Sequence, residues 1–319
     1  MRRALASIVA ATVAFAVVGC GGSGSDVKTE GGNAQLTVGV IPIVDVAPIY
    51  LGKQKGFFAE RKIDLTLKTA AGGAAIVPSV MSGEFQVGFS NFTSLLLARE
   101  KGLPLKVIAN GVSSTGEQGK DFGAIVVPKG SPAKSAKDLV GKRVAVNTLK
   151  NICDSTVKES VRKAGGDTTG LDLVELPFPD MPAAVAANRV DGACIVEPQL
   201  SQVVAAGGRV LTSMYVDAAP NLSVAGYFVN EKLLKSDRDL VDRFTEALKE
   251  SNAYADAHPD EVRQILSSYT KITADLAPKL TLPKWPAEIN KDSVATLGRL
   301  ATGDKVLTKA PDLNALYAD

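Results

Sequence analysis

Short, β-branched apolar runs alternate with helix-like segments through most of this chain, and the alternation begins twice. Residues 36–43 (LTVGVIPI), 63–68, 86–89 and 105–109 read as strands. Helices are expected at 47–55, with Pro48 in the first turn and Gly56 as terminator, at 74–81, and from Ser90 or Asn91 to about Lys101. The pattern restarts at residues 123–127 (GAIVV) and continues with strands at 143–146, 171–176 and 192–196. The helices between them open near Asn151, near Asp180 and at Pro198. Such alternation predicts mostly parallel sheets with covering helices. Beyond Ala225 the segments 240–255, 259–269 and 291–302 read as amphipathic helices, with no strand-rich region for a third sheet. They are expected to return to the first lobe. The expected α/β architecture is therefore two lobes, 35–122 plus 223–319 and 123–222, with a cleft between them. Ligands of open α/β sheets bind beyond the carboxyl ends of the strands, and domain junctions favour pockets.

The first twenty residues are of a different kind. Arg2 and Arg3 precede an apolar run at residues 4–18, which ends in Val17-Val18-Gly19-Cys20. A basic start, a short apolar stretch and small residues read as a secretory signal; the stretch is short for a membrane span. The last four residues resemble the lipobox of bacterial lipoproteins. That resemblance implies cleavage after residue 19 and a lipid on Cys20, the alternative being an ordinary signal with an incidental cysteine. Residues 21–34 (GGSGSDVKTEGGNA) read as a flexible tether. The protein is thus expected on the outer face of the cytoplasmic membrane, held there by lipid.

Composition removes several functions. Among 319 residues, Lys plus Arg is 36 and Asp plus Glu is 34, and loss of the leader leaves 34 of each. No basic field points to nucleic acid. With one histidine, His258, and three cysteines, neither a His-rich metal site nor a four-thiolate site is expected. No metal and no cofactor is expected.

Four segments then carry a family resemblance: VDVAPIYLGKQKGFF, VMSGEFQVGFSNFTSLLLAREKGLPLKVIA, SAKDLVGKRVAVNTLKN and FPDMPAAVAANRVDGACIVEP. Their order and spacing resemble the solute receptors of ABC importers, in the branch that binds nitrate, sulfonates, taurine and thiamine-pyrimidine precursors. The resemblance covers about residues 35–315. It implies a type II periplasmic-binding-protein-like fold that closes on a small solute and delivers it to a membrane permease driven by a separate ATPase. The chain has no GxxxxGK[ST] phosphate loop of its own. A monomer is expected.

Candidate ligand residues follow from the strand ends. Asp45 can accept a hydrogen bond from a ligand amine or cap the next helix. Of Ser90, Asn91 and Thr93, one must cap, leaving Asn91 or Thr93 for ligand. The resemblance places the loop of Asn147, Thr148, Lys150 and Asn151 at the cleft, with Thr148 and Asn151 as candidates. Phe178 can lie against a planar ligand or close the lobes, and Glu197 can bind a donor, cap a helix or hold the hinge. Cys153 and Cys194 form either a disulfide or two buried thiols; a bond requires their Cα atoms to lie within about 7 Å. His258 is expected away from the cleft, and Trp285, between Pro283 and Pro286, is expected as a packing anchor for an irregular segment. One base, Lys150, against two acids, Asp45 and Glu197, with Phe92, Phe122, Phe178 and Tyr215 nearby, leans toward a planar, amine-bearing or neutral solute such as a pyrimidine. Helix N-termini bind anions without arginine, so a sulfonate or nitrate ligand stays open. A pyrimidine-precursor synthase and a ligand sensor are the rival classes.

Overall fold

The computed structural model describes residues 27–318, so the leader and Cys20 lie outside the described residues. The strands are β1 (Thr29–Glu30), β2 (Asn33–Val40), β3 (Ile63–Thr69), β4 (Val87–Asn91), β5 (Leu105–Ser113), β6 (Gly123–Val127), β7 (Arg143–Val146), β8 (Asp172–Glu175), β9 (Gly192–Val196), β10 (Arg209–Thr212) and β11 (Ser223–Asn230). The helices are α1 (Ala47–Lys55), α2 (Phe57–Glu60), α3 (Gly73–Ser82), α4 (Phe92–Glu100), α5 (Ile152–Lys163), α6 (Met181–Ala186), α7 (Gln199–Ala205), α8 (Met214–Ala218), α9 (Glu231–Ser236), α10 (Arg238–Ala257), α11 (Pro259–Ile265) and α12 (Lys291–Gly303).

These strands form two sheets with the same plan. The first runs β3-β2-β4-β11-β5, with β1 hairpinned onto β2. The second runs β8-β7-β9-β6-β10. In each, three parallel strands are followed by one antiparallel strand and then a strand that pairs antiparallel with it. The antiparallel strand is a crossover product in both cases. β6 arrives directly from the first sheet, and β11 returns to it from the second.

Two strands differ from the sequence reading. Residues 223–227, read as a crossover, begin β11, which is buried between β4 and β5. β10, a four-residue edge strand, went unread because RVLT is too short for a pattern. The end of the expected tether also pairs, Thr29 with Ala34 and Glu30 with Asn33.

Local chemistry explains the helix starts. Side-chain oxygens of Asn91, Asn151, Asn230, Asp237 and Asn290 accept backbone N–H bonds in the first turns of α4, α5, α9, α10 and α12. Gly56 ends α1 at φ 90°, a left-handed position that costs glycine little. The C-terminal helices do cover the first sheet. Phe244 of α10 packs on Phe58 and Tyr227, and Tyr227 on Phe89.

The approach of α10 to α1 depends on Gly52. A Cβ there would overlap the Ser251 hydroxyl and lie 2.7 Å from its Cβ. Gly52→Ala is expected to lower unfolding free energy by about 1–3 kcal/mol in urea melts, the usual cost of overpacking. In a Ser251→Gly background the same change should cost much less. Equal costs in both backgrounds would show that this contact does not set the α1–α10 distance.

Candidate functional site

The parallel strands of both sheets direct their carboxyl ends at the same cleft, and the lobes meet across it. Val44 N donates to Glu197 O at 3.0 Å, and Gln199 Nε2 to Pro42 O at 3.4 Å. Gly72 lies so near the second lobe that a Cβ would sit 2.9 Å from Thr148 Cγ2 and 3.1 Å from Asn147 Nδ2. Arg162 of α5 makes a forked pair with Asp304, just past α12, at 2.7 and 3.4 Å, and its Nε holds Glu159 at 2.9 Å.

Asp45 occupies a 3-10 turn, Val44–Val46, between β2 and α1. It caps no helix. The residue is 3% exposed and its Oδ1 has no hydrogen-bond partner. Burial pushes its carboxyl up to about 8; its own backbone N–H opposes the shift and Asp121 adds to it. Trp285 Nε1 donates to the Asp45 carbonyl at 3.0 Å, so the sole tryptophan fixes this turn from 240 residues away.

At the end of β4, Asn91 is the cap: its Oδ1 accepts from Ser94 N at 2.9 Å. The hydroxyls of Ser90, Thr93 and Ser94 are buried without partners. Ser90 abuts Gly73, the first residue of α3, where any Cβ would lie 2.6 Å from the Ser90 Cα.

In the second lobe Asn151 is wholly occupied. Its Oδ1 caps α5 through Cys153 N at 2.9 Å, and its Nδ2 donates to Asn147 Oδ1 at 2.7 Å and Thr148 Oγ1 at 2.9 Å. It positions Thr148, whose side chain meets Gly72. Lys150 is exposed in a left-handed conformation at φ 56°. The sulfurs of Cys153 and Cys194 are 1.93 Å apart and their Cα atoms 5.9 Å, joining the start of α5 to β9. Phe178 is a buried core residue at the 3-10 turn before α6.

The Glu197 carboxyl is engaged by protein groups. It accepts from Ser201 N at 3.0 Å, Ser201 Oγ at 2.8 Å and Thr281 N at 3.2 Å. It therefore caps α7 and ties the second lobe to the segment that returns to the first. Burial raises it to about 7 against those three bonds. With Asp121, it lines a cavity of about 290 Å³ beside the crossovers. Asp121 accepts from Ser114 Oγ, Thr115 N and Phe122 N at 2.7 to 3.0 Å.

Sequence reasoning placed Tyr215 near the cleft but missed the other tyrosines that Asp45 acts on. Tyr215 of α8 and Tyr227 of β11 are fully buried, and the charge of Asp45 adds to the rise that burial gives both phenols. Tyr269 responds in the same way; its hydroxyl donates to Ile43 O at 3.1 Å and its ring stacks on Tyr50 at 3.9 Å. These tyrosines come from four distant segments, so no local spacing marks them. His258 is exposed and stacked on Tyr254. Among the described residues no group of three or more His, Cys, Asp or Glu is placed to hold a metal.

Both raised carboxyls prefer their protonated form in the folded state. Their stabilising contribution is complete below the unfolded values, near 4, and is lost as pH rises through about 7 for Glu197 and about 8 for Asp45. Unfolding free energy measured in urea should therefore fall between pH 5 and pH 8.5. Asp45→Asn should flatten that decline and stabilise the protein at pH 8.5 by on the order of 1–3 kcal/mol. An unchanged slope in this variant would refute a buried, uncompensated Asp45.

Residues 43–262 match the family described as NMT1/THI5 like. The 4-amino-5-hydroxymethyl-2-methylpyrimidine phosphate synthase THI11 of Saccharomyces cerevisiae is 22% identical over 66% of this chain and 64% of its own length. The riboflavin-binding protein RibY of Chloroflexus aurantiacus is 26% identical over 71% and 63%. The match thus spans less than two thirds of either relative. In fold, the chain is similar to a ligand-binding component of an ABC-type import system from Staphylococcus aureus, with TM-score 0.76, 15% identity and coverage of 89% and 96%. The alkanesulfonate-binding protein SsuA of Xanthomonas axonopodis pv. citri gives 0.73, 17%, 89% and 98%. The nitrate-binding protein NrtA of Synechocystis gives 0.75, 15%, 88% and 83%. With the two-sheet plan and the interlobe cleft, the match over residues 43–262 shows that this chain belongs to the NMT1/THI5-like family.

Proposed function

We propose that this protein is an extracytoplasmic solute receptor, anchored by lipid on Cys20, that closes two lobes on a small solute and delivers it to an ABC importer permease. The lobes are those expected from the sequence, 35–122 with 223–319 and 123–222, and the receptor acts as a monomer. A planar, amine-bearing solute, pyrimidine-like in size and donor pattern, fits best. The observation that carries this choice is Asp45, a carboxyl buried where the lobes meet, with one oxygen lacking any partner. Leaving such a group unsatisfied costs about 1–3 kcal/mol, which a ligand N–H recovers. Names among the relatives, a pyrimidine phosphate synthase and a riboflavin-binding protein, lend support to a planar nitrogen heterocycle.

The unpartnered hydroxyls of Ser90, Thr93 and Ser94, at the start of α4, favour a second reading. They suit an oxyanion, as do the sulfonate and nitrate named for the fold neighbours. A synthase-like activity has less support, since the sole histidine is exposed on α10's far end and the buried cysteines are joined. Thr148 and Thr93 are proposed as ligand contacts beside Asp45. Asn91, Asn151 and Glu197 are proposed as positioning residues, because internal bonds occupy their side chains.

A thermal-shift panel of pyrimidines, flavins, taurine, alkanesulfonates and nitrate tests the reading. A true solute at 100 times its Kd should add about 2.7 kcal/mol to stability. Stabilisation by planar amines supports the Asp45 site and by oxyanions the hydroxyls of Ser90, Thr93 and Ser94, while silence here and toward the organic cations tested below overturns the receptor reading. Arg162→Ala cuts an ion pair that spans the lobes, worth about 0.5–1 kcal/mol when half exposed. It should weaken solute binding roughly two- to fivefold and speed release. Unchanged release kinetics would mean that closure does not use this pair.

A further inference from the structure

Asp45, buried with one carboxyl oxygen unpartnered, interacts electrostatically with acids and phenols. Asp121 of the crossover adds negative potential. Tyr215 of α8, Tyr227 of β11 and Tyr269 beyond α11 present phenols, and Tyr50 of α1 stacks on Tyr269. Glu197 at the end of β9 adds a third carboxyl, whose donors are Ser201 and Thr281. Lys279 lines the cavity beside Asp121 and Glu197, yet among the described residues none of the three carboxyls has an ion-pair partner. The remaining neighbour, Trp285, spends its N–H on the Asp45 carbonyl.

A carboxylate cannot stay ionised in such a place without a counter-charge, so it keeps a proton. The same surroundings suit one class of guest. A carboxyl with an unpartnered oxygen, withdrawn from water among acids and phenols, attracts an organic cation and offers an anion little. Here the protein supplies the negative half of a buried pair and leaves the positive half to the solute.

From this arrangement we propose that the solute binds as a cation and takes the place of the Asp45 proton. The Asp45 O–H bond breaks, its proton passes to bulk water, and the carboxylate so formed pairs with the positive nitrogen of the solute. No oxidation or reduction is involved. The proposal rests on the receptor reading and sharpens it from amine-bearing solute to organic cation. Two consequences follow from mass action. One proton is released per cation bound at neutral pH. Affinity also rises as pH rises toward the value near which Asp45 titrates, about 8.

The experiment uses rings matched in shape and different in charge: N1-methylnicotinamide as the cation, nicotinamide as the neutral form and nicotinate as the anion, with thiamine as a larger planar cation. Calorimetric titrations at pH 7 in phosphate and in Tris read proton release from the difference in binding enthalpy. The expected result is binding of the cations in preference to their neutral and anionic counterparts, with release of about one proton. Cation affinity should increase about tenfold per pH unit between pH 6 and 7.5. Asp45→Asn, which keeps shape and removes charge, should abolish proton release and weaken cation binding at least 100-fold. Its melting curve establishes that it is folded. Asp121→Asn should leave proton release intact, which separates Asp45 from the general acidity of the cleft. Binding of neutral or anionic solutes from the thermal-shift panel, with no cation bound and no proton released, overturns the cation assignment and leaves the receptor standing. Cation binding that Asp45→Asn retains with full proton release overturns it as well. Silence toward every solute in both panels overturns the receptor reading and this inference with it.

Discussion

The insertion of β11 between β4 and β5 is the constraint on which the rest of the molecule depends. The first sheet lacks its fourth strand until the chain has built the whole second lobe and come back. Its hydrophobic faces are therefore incomplete in any N-terminal fragment. Two crossovers must join the lobes, and they must lie side by side, because β5 leaves from the edge at which β11 enters. Loop-closure entropy grows slowly with length, so holding this long-range pairing is affordable once β11 is fully buried. Its residues from Ser223 to Val229 are all buried, and Tyr227 packs on Phe89 and Phe244. The strand thus joins the sheet to the C-terminal helix that covers it.

This topology also decides what the cleft is made of. Parallel strands end at the same edge, and each passes into a helix whose first N–H groups need acceptors. Asparagine supplies them at α4 and α5, so the polar side chains at the cleft are partly engaged in starting helices. Asn151 shows the consequence. One side chain caps α5, orients Asn147 and orients Thr148, and through Thr148 it meets Gly72 of the other lobe. The link between Cys153 and Cys194 fastens the same helix end to β9. The second-lobe wall of the cleft is rigid for reasons visible in its own hydrogen bonds.

Much of this was readable beforehand. The strand–helix alternation, the restart near residue 123 and the return of the C-terminal helices all follow from apolar periodicity and turn residues. β11 escaped because Ala225 and Gly226 interrupt its apolar run, and their smallness serves packing: a Cβ on Gly226 would lie 2.9 Å from Ala109 O. Asn91, Asn151 and Glu197 were visible as polar residues at strand ends. Their division between ligand and structure was not, because the chemistry that binds a solute also caps a helix. Only the partners of each oxygen separate the two. Of the tyrosines around Asp45 only Tyr215 stood out in the sequence, as an aromatic residue of a cleft loop; Tyr50, Tyr227 and Tyr269 join it through tertiary structure alone.

Asp45 is the point where local rules fail, and the failure is informative. Its turn is held from several sides, by Trp285 at its carbonyl, by Tyr269 at the carbonyl of Ile43 and by Val44 at the carbonyl of Glu197. A chain selected for stability alone would place a neutral or apolar residue at this position, or bring a base to meet it. Instead three segments remote in sequence fix the backbone while one carboxyl oxygen is left without a partner. Fixed geometry with an unmet electrostatic demand is how a binding group is prepared in advance of its ligand. The cost falls on the protein without its solute, and under the receptor reading proposed above a solute that meets the demand stabilises this arrangement of the lobes.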